Sequence, residues 1–130
     1  MLSPDFLPLW IALGAIPGAI SRYYLTVILT EWTGGEFPLG TFLINLSGAV
    51  LIGFWATLLP AFSPGTILNG FIIVGFLGAY TTFSTYALDT SNLLKQGSYR
   101  RALLYGLGSP VVGFLGVEGG MALAQPFLQG

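Results

Sequence analysis

The chain has no cysteine and no histidine, and its 130 residues carry only four basic and five acidic side chains. Without Cys or His, the usual zinc, haem and iron–sulfur centres are excluded, together with Cys- or His-based catalysis. Five carboxylates are few for an all-oxygen metal site. Disulfides are impossible, so cysteine usage says nothing about redox compartment. Four basic residues and a net charge of −1 leave no electrostatic footprint for nucleic acid. These absences point away from an enzyme and leave permeation or transport as the leading class.

A soluble domain carries about 25% charged residues, whereas here the share is 7% against 54% hydrophobic and 15% aromatic. Mean hydropathy is +0.80. A hydrocarbon core about 30 Å thick and a helical rise of about 1.5 Å per residue require about 20 residues per crossing. The length therefore fits a single all-α membrane domain of four crossings with short loops.

The apolar pattern places those spans at 6–29, 38–59, 66–94 and 102–128. The first is long and has no basic leader, so it reads as a span rather than a cleaved signal. Trp10 at one end and Tyr23, Tyr24 and Trp32 at the other resemble interfacial belts. Glu31 to Phe37, with Gly34 and Gly35, reads as a turn, and Pro60 with Ser63-Pro64-Gly65 closes the second span. Gly75 to Thr85 combines glycines with β-branched and hydroxyl residues, all weak helix formers, and predicts a break in the third span. Arg22, Lys95, Arg100 and Arg101 all fall on one side, so the positive-inside rule places both termini outward.

Several faces are more polar than lipid contact requires. Gly14, Gly18 and Arg22 recur at i, i+4, i+8; the glycines suit close helix packing, while the guanidinium either snorkels to the interface or forms an anion-attracting vestibule. Thr41, Asn45 and Gly48 share a face, where Asn45 acts either as interhelical glue or as part of a polar path. Thr81, Thr82, Ser84 and Thr85 put four hydroxyls on a weak helix, with Phe83 and Tyr86 on one face at i, i+3. Each hydroxyl either bonds back to backbone or, with backbone carbonyls freed at a break, offers an ion oxygen or donor groups. Tyr105 and Ser109 at i, i+4 continue into Gly113 and Gly116 as a hydroxyl track beside a small-residue face. Glu118 is the one acidic residue well inside a span; it reads either as a proton or cation relay or, since it lies near the outward end of its helix, as a rim residue, and the rim position is favoured.

Pro38-Leu39-Gly40-Thr41-Phe42-Leu43-Ile44-Asn45-Leu46-Ser47-Gly48, followed by Gly75-Phe76-Leu77-Gly78-Ala79-Tyr80-Thr81-Thr82-Phe83-Ser84-Thr85-Tyr86, resembles the signature pair of the Fluc (CrcB-type) fluoride channels. Gly14 to Tyr23 is similar to that family's first-helix pattern. The resemblance covers nearly the whole chain, and the three motifs together are specific.

It implies a dual-topology-type dimer of four-helix subunits inserted antiparallel in the cell (inner) membrane, with two fluoride pathways along the subunit interface. It further implies a structural Na⁺ at the dimer centre, held by the backbone carbonyls of Gly78 and Thr81 at the break of the third helix. Carried over by position, Phe83, Tyr86 and Asn45 line each pore, Arg22 stands at the vestibule, and Ser84, Thr85, Tyr105 and Ser109 form a polar track. The implied function is passive fluoride export that lowers cytoplasmic fluoride toxicity.

Three positions depart from that pattern: Tyr86 stands where a second phenylalanine is common, Asp89 replaces a glutamate, and Ala87 replaces a serine. With the one-sided charge bias, they leave open a homodimer or a heterodimer with a homologous subunit of opposite orientation, including a non-conducting partner role. The alternative from another class is a small multidrug-resistance-type exporter coupled to protons. It needs an acidic residue in the first span, which has none after Asp5, so Glu118 is the only substitute.

Overall fold

The computed structural model describes residues 4–130, and no strand occurs among the described residues. A 3₁₀ turn (Pro4–Phe6) enters α1 (Leu7–Thr33), followed by α2 (Leu39–Phe62). Helix α3 covers residues 66–80, with a π-helical stretch at Gly70–Leu77 in its middle. Helices α4 (Phe83–Lys95) and α5 (Tyr99–Leu128) complete the chain. With α3 and α4 taken as one crossing, four helical segments are long and apolar enough to span a membrane. An all-helical solution follows from the composition: hydrocarbon offers no partners to backbone N–H and C=O groups, and a helix satisfies them internally.

The helices run past the apolar pattern at several ends, because helical hydrogen bonding continues into the interface until a residue favours another conformation. Helix α1 persists to Thr33 and stops where Gly34 and Gly35 take φ of 73° and 74°, a left-handed conformation that glycine adopts without strain. Helix α5 begins at Tyr99, directly after a turn in which Gly97 has φ 74° and the Ser98 N–H donates to the Leu93 carbonyl. Helix α2 passes through Pro60 to Phe62, where the sequence pattern placed a turn at the proline. One missing N–H near a helix end interrupts one bond and does not stop the helix.

Two backbone-to-backbone contacts organise the bundle. On one side α1 lies against α3, and a Cβ on Gly14 or Gly18 would run into the carbonyls of Phe71 and Phe76. On the other, α2 and α5 form the most extensive helix pair; a Cβ on Gly53 would strike the Val117 carbonyl, and one on Gly120 the Val50 carbonyl. Apolar side chains gain little from leaving lipid for protein, so close approach of small residues, with its dispersion and Cα–H···O contacts, supplies much of the association. Gly14 and Gly18 are thus packing glycines. The π-helical stretch sits under this contact, with Gly75 against the Ile11 carbonyl.

Candidate ion pathway

Between α3 and α4 the chain leaves helical geometry for two residues. Thr81 has φ −83°, ψ 158° and Thr82 φ −149°, ψ 117°. The Thr82 backbone is clasped on both sides from across the bundle by Asn45 on α2: the Thr82 N–H donates to Asn45 Oδ1 at 2.8 Å, and Asn45 Nδ2 donates to the Thr82 carbonyl at 2.9 Å. A side-chain amide carries a donor and an acceptor side by side, which suits it to this paired contact. Thr82 Oγ1 then accepts from the Thr85 N–H at 3.2 Å and caps α4. Gly48, one turn after Asn45, lets α2 approach, since a Cβ there would collide with the Thr81 side chain.

This arrangement diverts two donors that a continuous helix would have used. The Thr82 N–H would have closed on the Gly78 carbonyl, and the Thr85 N–H on the Thr81 carbonyl; they go to Asn45 and to Thr82 Oγ1 instead. The Gly78 and Thr81 carbonyls are therefore released from the helical ladder, and Gly78 is exposed. Carbonyl oxygens are hard donors suited to an alkali cation, so these two groups fit a Na⁺ ligand set. No cluster of three acidic residues that would hold a metal occurs among the described residues.

Beside the break lies a cavity of about 500 Å³, lined by Asn45, Thr81, Thr82, Phe83, Tyr86 and Ser109 among others. Its polar groups are neutral. Asn45 keeps one amide hydrogen after the clasp. Ser109 Oγ is buried and has no hydrogen-bond partner, which leaves its hydroxyl free to donate to an ion.

From this cavity a row of rings crosses the bundle. Phe83 and Tyr86 centroids lie 5.6 Å apart, Tyr86 and Tyr105 5.4 Å, and Tyr105 and Phe37 5.6 Å in edge-to-face contact. Phe37 faces a second cavity of about 290 Å³, which Thr26, Thr30, Thr41, Thr85 and Asp89 also line. Tyr105 is buried between the two and its hydroxyl donates to Asp89 Oδ2 at 3.3 Å. The Tyr86 hydroxyl donates to the Gly106 carbonyl on α5.

The structure thus gathers Asn45, Phe83, Tyr86 and Ser109 around one cavity and puts Thr85 on the next. Ser84 is exposed, 3.3 Å from the Thr82 hydroxyl. Arg22 is half-buried on α1, lines neither cavity and has no carboxylate in salt-bridge range; the one ion pair among the described residues is Arg101 with Glu36, 3.6 Å apart on the surface. Glu118 is exposed and also lines neither cavity. Sequence reading passed over Thr26 and Thr30, whose i, i+4 spacing opposite Thr41 was the available signal.

Comparison with known proteins agrees with this architecture. The family described as CrcB-like protein, Camphor Resistance (CrcB), matches residues 9–121. A protein named fluoride-specific ion channel FluC from Synechococcus sp. is 48% identical over 130 residues, covering 96% of this chain and 98% of its own length. Another of that name from Synechocystis sp. is 50% identical over 121 residues, covering 91% and 92%. One from Helicobacter pylori (strain P12) is 40% identical over 126 residues, covering 95% and 97%.

Proposed function

The chain belongs to the CrcB family, and from that premise we propose that it is a fluoride-selective channel, a multi-pass protein of the cell membrane that lets fluoride leave passively and so limits its toxicity. The observation that carries this reading is a cavity at membrane depth with hydrogen-bond donors and ring edges but no cationic side chain among the residues that line it. Fluoride is small and strongly hydrated, so a narrow path must replace its water with donors. The free Asn45 amide hydrogen, the Ser109, Ser84 and Thr85 hydroxyls and the electropositive edges of Phe83 and Tyr86 offer that replacement. A lysine or arginine in the same place would hold the anion too tightly for exit to match entry.

Gly78, Phe83 and Ser84 are exposed on the single chain at the depth of the break, which supports completion of the path by a second subunit. In this reading the partner is inserted antiparallel, and the Gly78 and Thr81 carbonyls of both subunits hold Na⁺ at the shared centre. The ion would supply positive potential close to the path without standing in it. Arg22, without a carboxylate partner, would attract anions towards an entrance, and Asp89, which lines the second cavity, accepts a hydrogen bond from Tyr105. The partner is a second copy or a homologous subunit of opposite orientation. The four basic residues on one side of the chain favour a fixed orientation.

No carboxylate lines the first cavity, and Glu118, the acidic residue that the proton-coupled alternative would use, lines neither. In a bacterial strain that lacks its own fluoride exporter, the wild-type chain is expected to restore growth in fluoride, together with its opposite-orientation partner if it requires one. Glu118→Gln is expected to restore growth equally. Loss of rescue by this one substitution would favour the proton-coupled mechanism.

A further inference from the structure

Helix α5 contains Pro110, and a proline inside a helix supplies no N–H to the carbonyl four residues before it. That carbonyl belongs to Gly106, and it is the one that receives the Tyr86 hydroxyl. At membrane depth an unpartnered carbonyl is costly, so Tyr86 and Pro110 are complementary: the proline opens an acceptor and the tyrosine fills it. The bond links α4 to α5 at the point where Gly106 lies close to Thr90, since a Cβ at Gly106 would come within 3.1 Å of the Thr90 methyl.

The consequence concerns the orientation of the ring. Tyr86 is held at its hydroxyl by Gly106 and between two neighbouring rings, Phe83 tilted by 46° and Tyr105 by 40°. Its hydroxyl proton is committed to a backbone acceptor and is not available to a passing anion. Resting on the fluoride-channel reading above, we propose that Tyr86 is a positioning residue: the Gly106 carbonyl, left open by Pro110, anchors the Tyr86 hydroxyl and presents the ring, rather than the hydroxyl, to the ion. The tyrosine at this position is thereby matched to the proline on the neighbouring helix.

The test is a set of four chains: wild type, Tyr86→Phe, Pro110→Ala, and both together. The Pro110→Ala substitution restores an N–H to the Gly106 carbonyl. The chain contains a single Gly-Leu dipeptide, Gly106-Leu107, so carbonyl-¹³C glycine with ¹⁵N leucine labels that one peptide for solid-state NMR in lipid. Tyr86→Phe is expected to move the Gly106 carbonyl resonance upfield when Pro110 is present and to leave it nearly in place in the Pro110→Ala background. Fluoride efflux per folded channel is expected to fall by about tenfold on Tyr86→Phe beside Pro110, the size of one lost hydrogen bond, and by less than about twofold in the Pro110→Ala background.

An equal loss of flux in both backgrounds would overturn the proposal, because the hydroxyl would then act on the ion. A Gly106 carbonyl that does not respond to Tyr86→Phe would overturn it too, because the anchoring bond would be absent. The resonance is read whether or not the chain conducts. A silent wild type therefore counts against the channel reading, while the carbonyl still tests the pairing.

Discussion

Alanine in place of Asn45 is expected to abolish fluoride conduction while leaving a helical, membrane-inserted chain. The Asn45 amide makes two hydrogen bonds to the backbone of a single residue, Thr82, at 2.8 Å to its N–H and 2.9 Å to its carbonyl. Removing it strands the Thr82 N–H and carbonyl, each at a cost of about 1–3 kcal/mol if they stay unpaired. A nearby alternative exists: the Thr82 N–H can turn back to the Gly78 carbonyl and extend α3 by one helical bond. That relaxation occupies one of the two released carbonyls, shifts Phe83 and Tyr86 from the cavity, and removes the free amide donor. A decrease in efflux from liposomes of about a hundredfold or more is expected, since about 3 kcal/mol corresponds to two powers of ten. Asn45→Asp separates the two halves of the clasp. Its carboxylate still accepts from the Thr82 N–H, cannot donate to the carbonyl, and adds a negative charge beside an anion path, so it too is expected to be silent. Efflux near the wild-type rate from Asn45→Ala would remove Asn45 from the mechanism.

Phe83→Ile is the second large effect, and it acts differently. Phe83 is 79% exposed in the single chain, so its ring contributes little to holding the subunit's own helices together. The substitution is expected to leave the folding and yield of the protein near wild type. Isoleucine keeps apolar bulk but has no aromatic quadrupole, whose positive edge is what attracts an anion. Fluoride efflux is expected to drop by about ten- to a hundredfold, which corresponds to about 1.4–2.7 kcal/mol of lost compensation for dehydration. Unchanged flux with normal assembly would place the path elsewhere. The two substitutions therefore separate an effect through the geometry of the break, expected of Asn45, from an effect of ring edges on the ion, expected of Phe83.

The four spans were legible because bilayer thickness and the scarcity of charge constrain a short chain tightly. The hydroxyl-rich run at Thr81–Thr85 marked the segment where Thr81 and Thr82 are extended, because those residue types compete with the helix for backbone partners. What pairs with what was far less legible. The partner of Asn45 lies 37 residues away, and periodicity along one helix carries no information about a neighbour's backbone. The Asn45 amide could be read as glue or as a pore donor; the clasp makes it glue for the break while one hydrogen remains free. The π-helical stretch at Gly70–Leu77 left no mark beyond its glycines, because composition does not distinguish i→i+5 from i→i+4 bonding. Tyr86 stood out as a departure from the pattern, yet the destination of its hydroxyl depended on Pro110, on another helix.

The most direct measurement of the central claim is fluoride efflux from liposomes containing the purified protein, reconstituted with its opposite-orientation partner if it requires one, with chloride as the control anion and no proton gradient. Rapid fluoride release that follows the electrochemical gradient, with chloride retained, is the expected result. Retention of fluoride in that assembly, or release of fluoride and chloride at similar rates, would contradict the account.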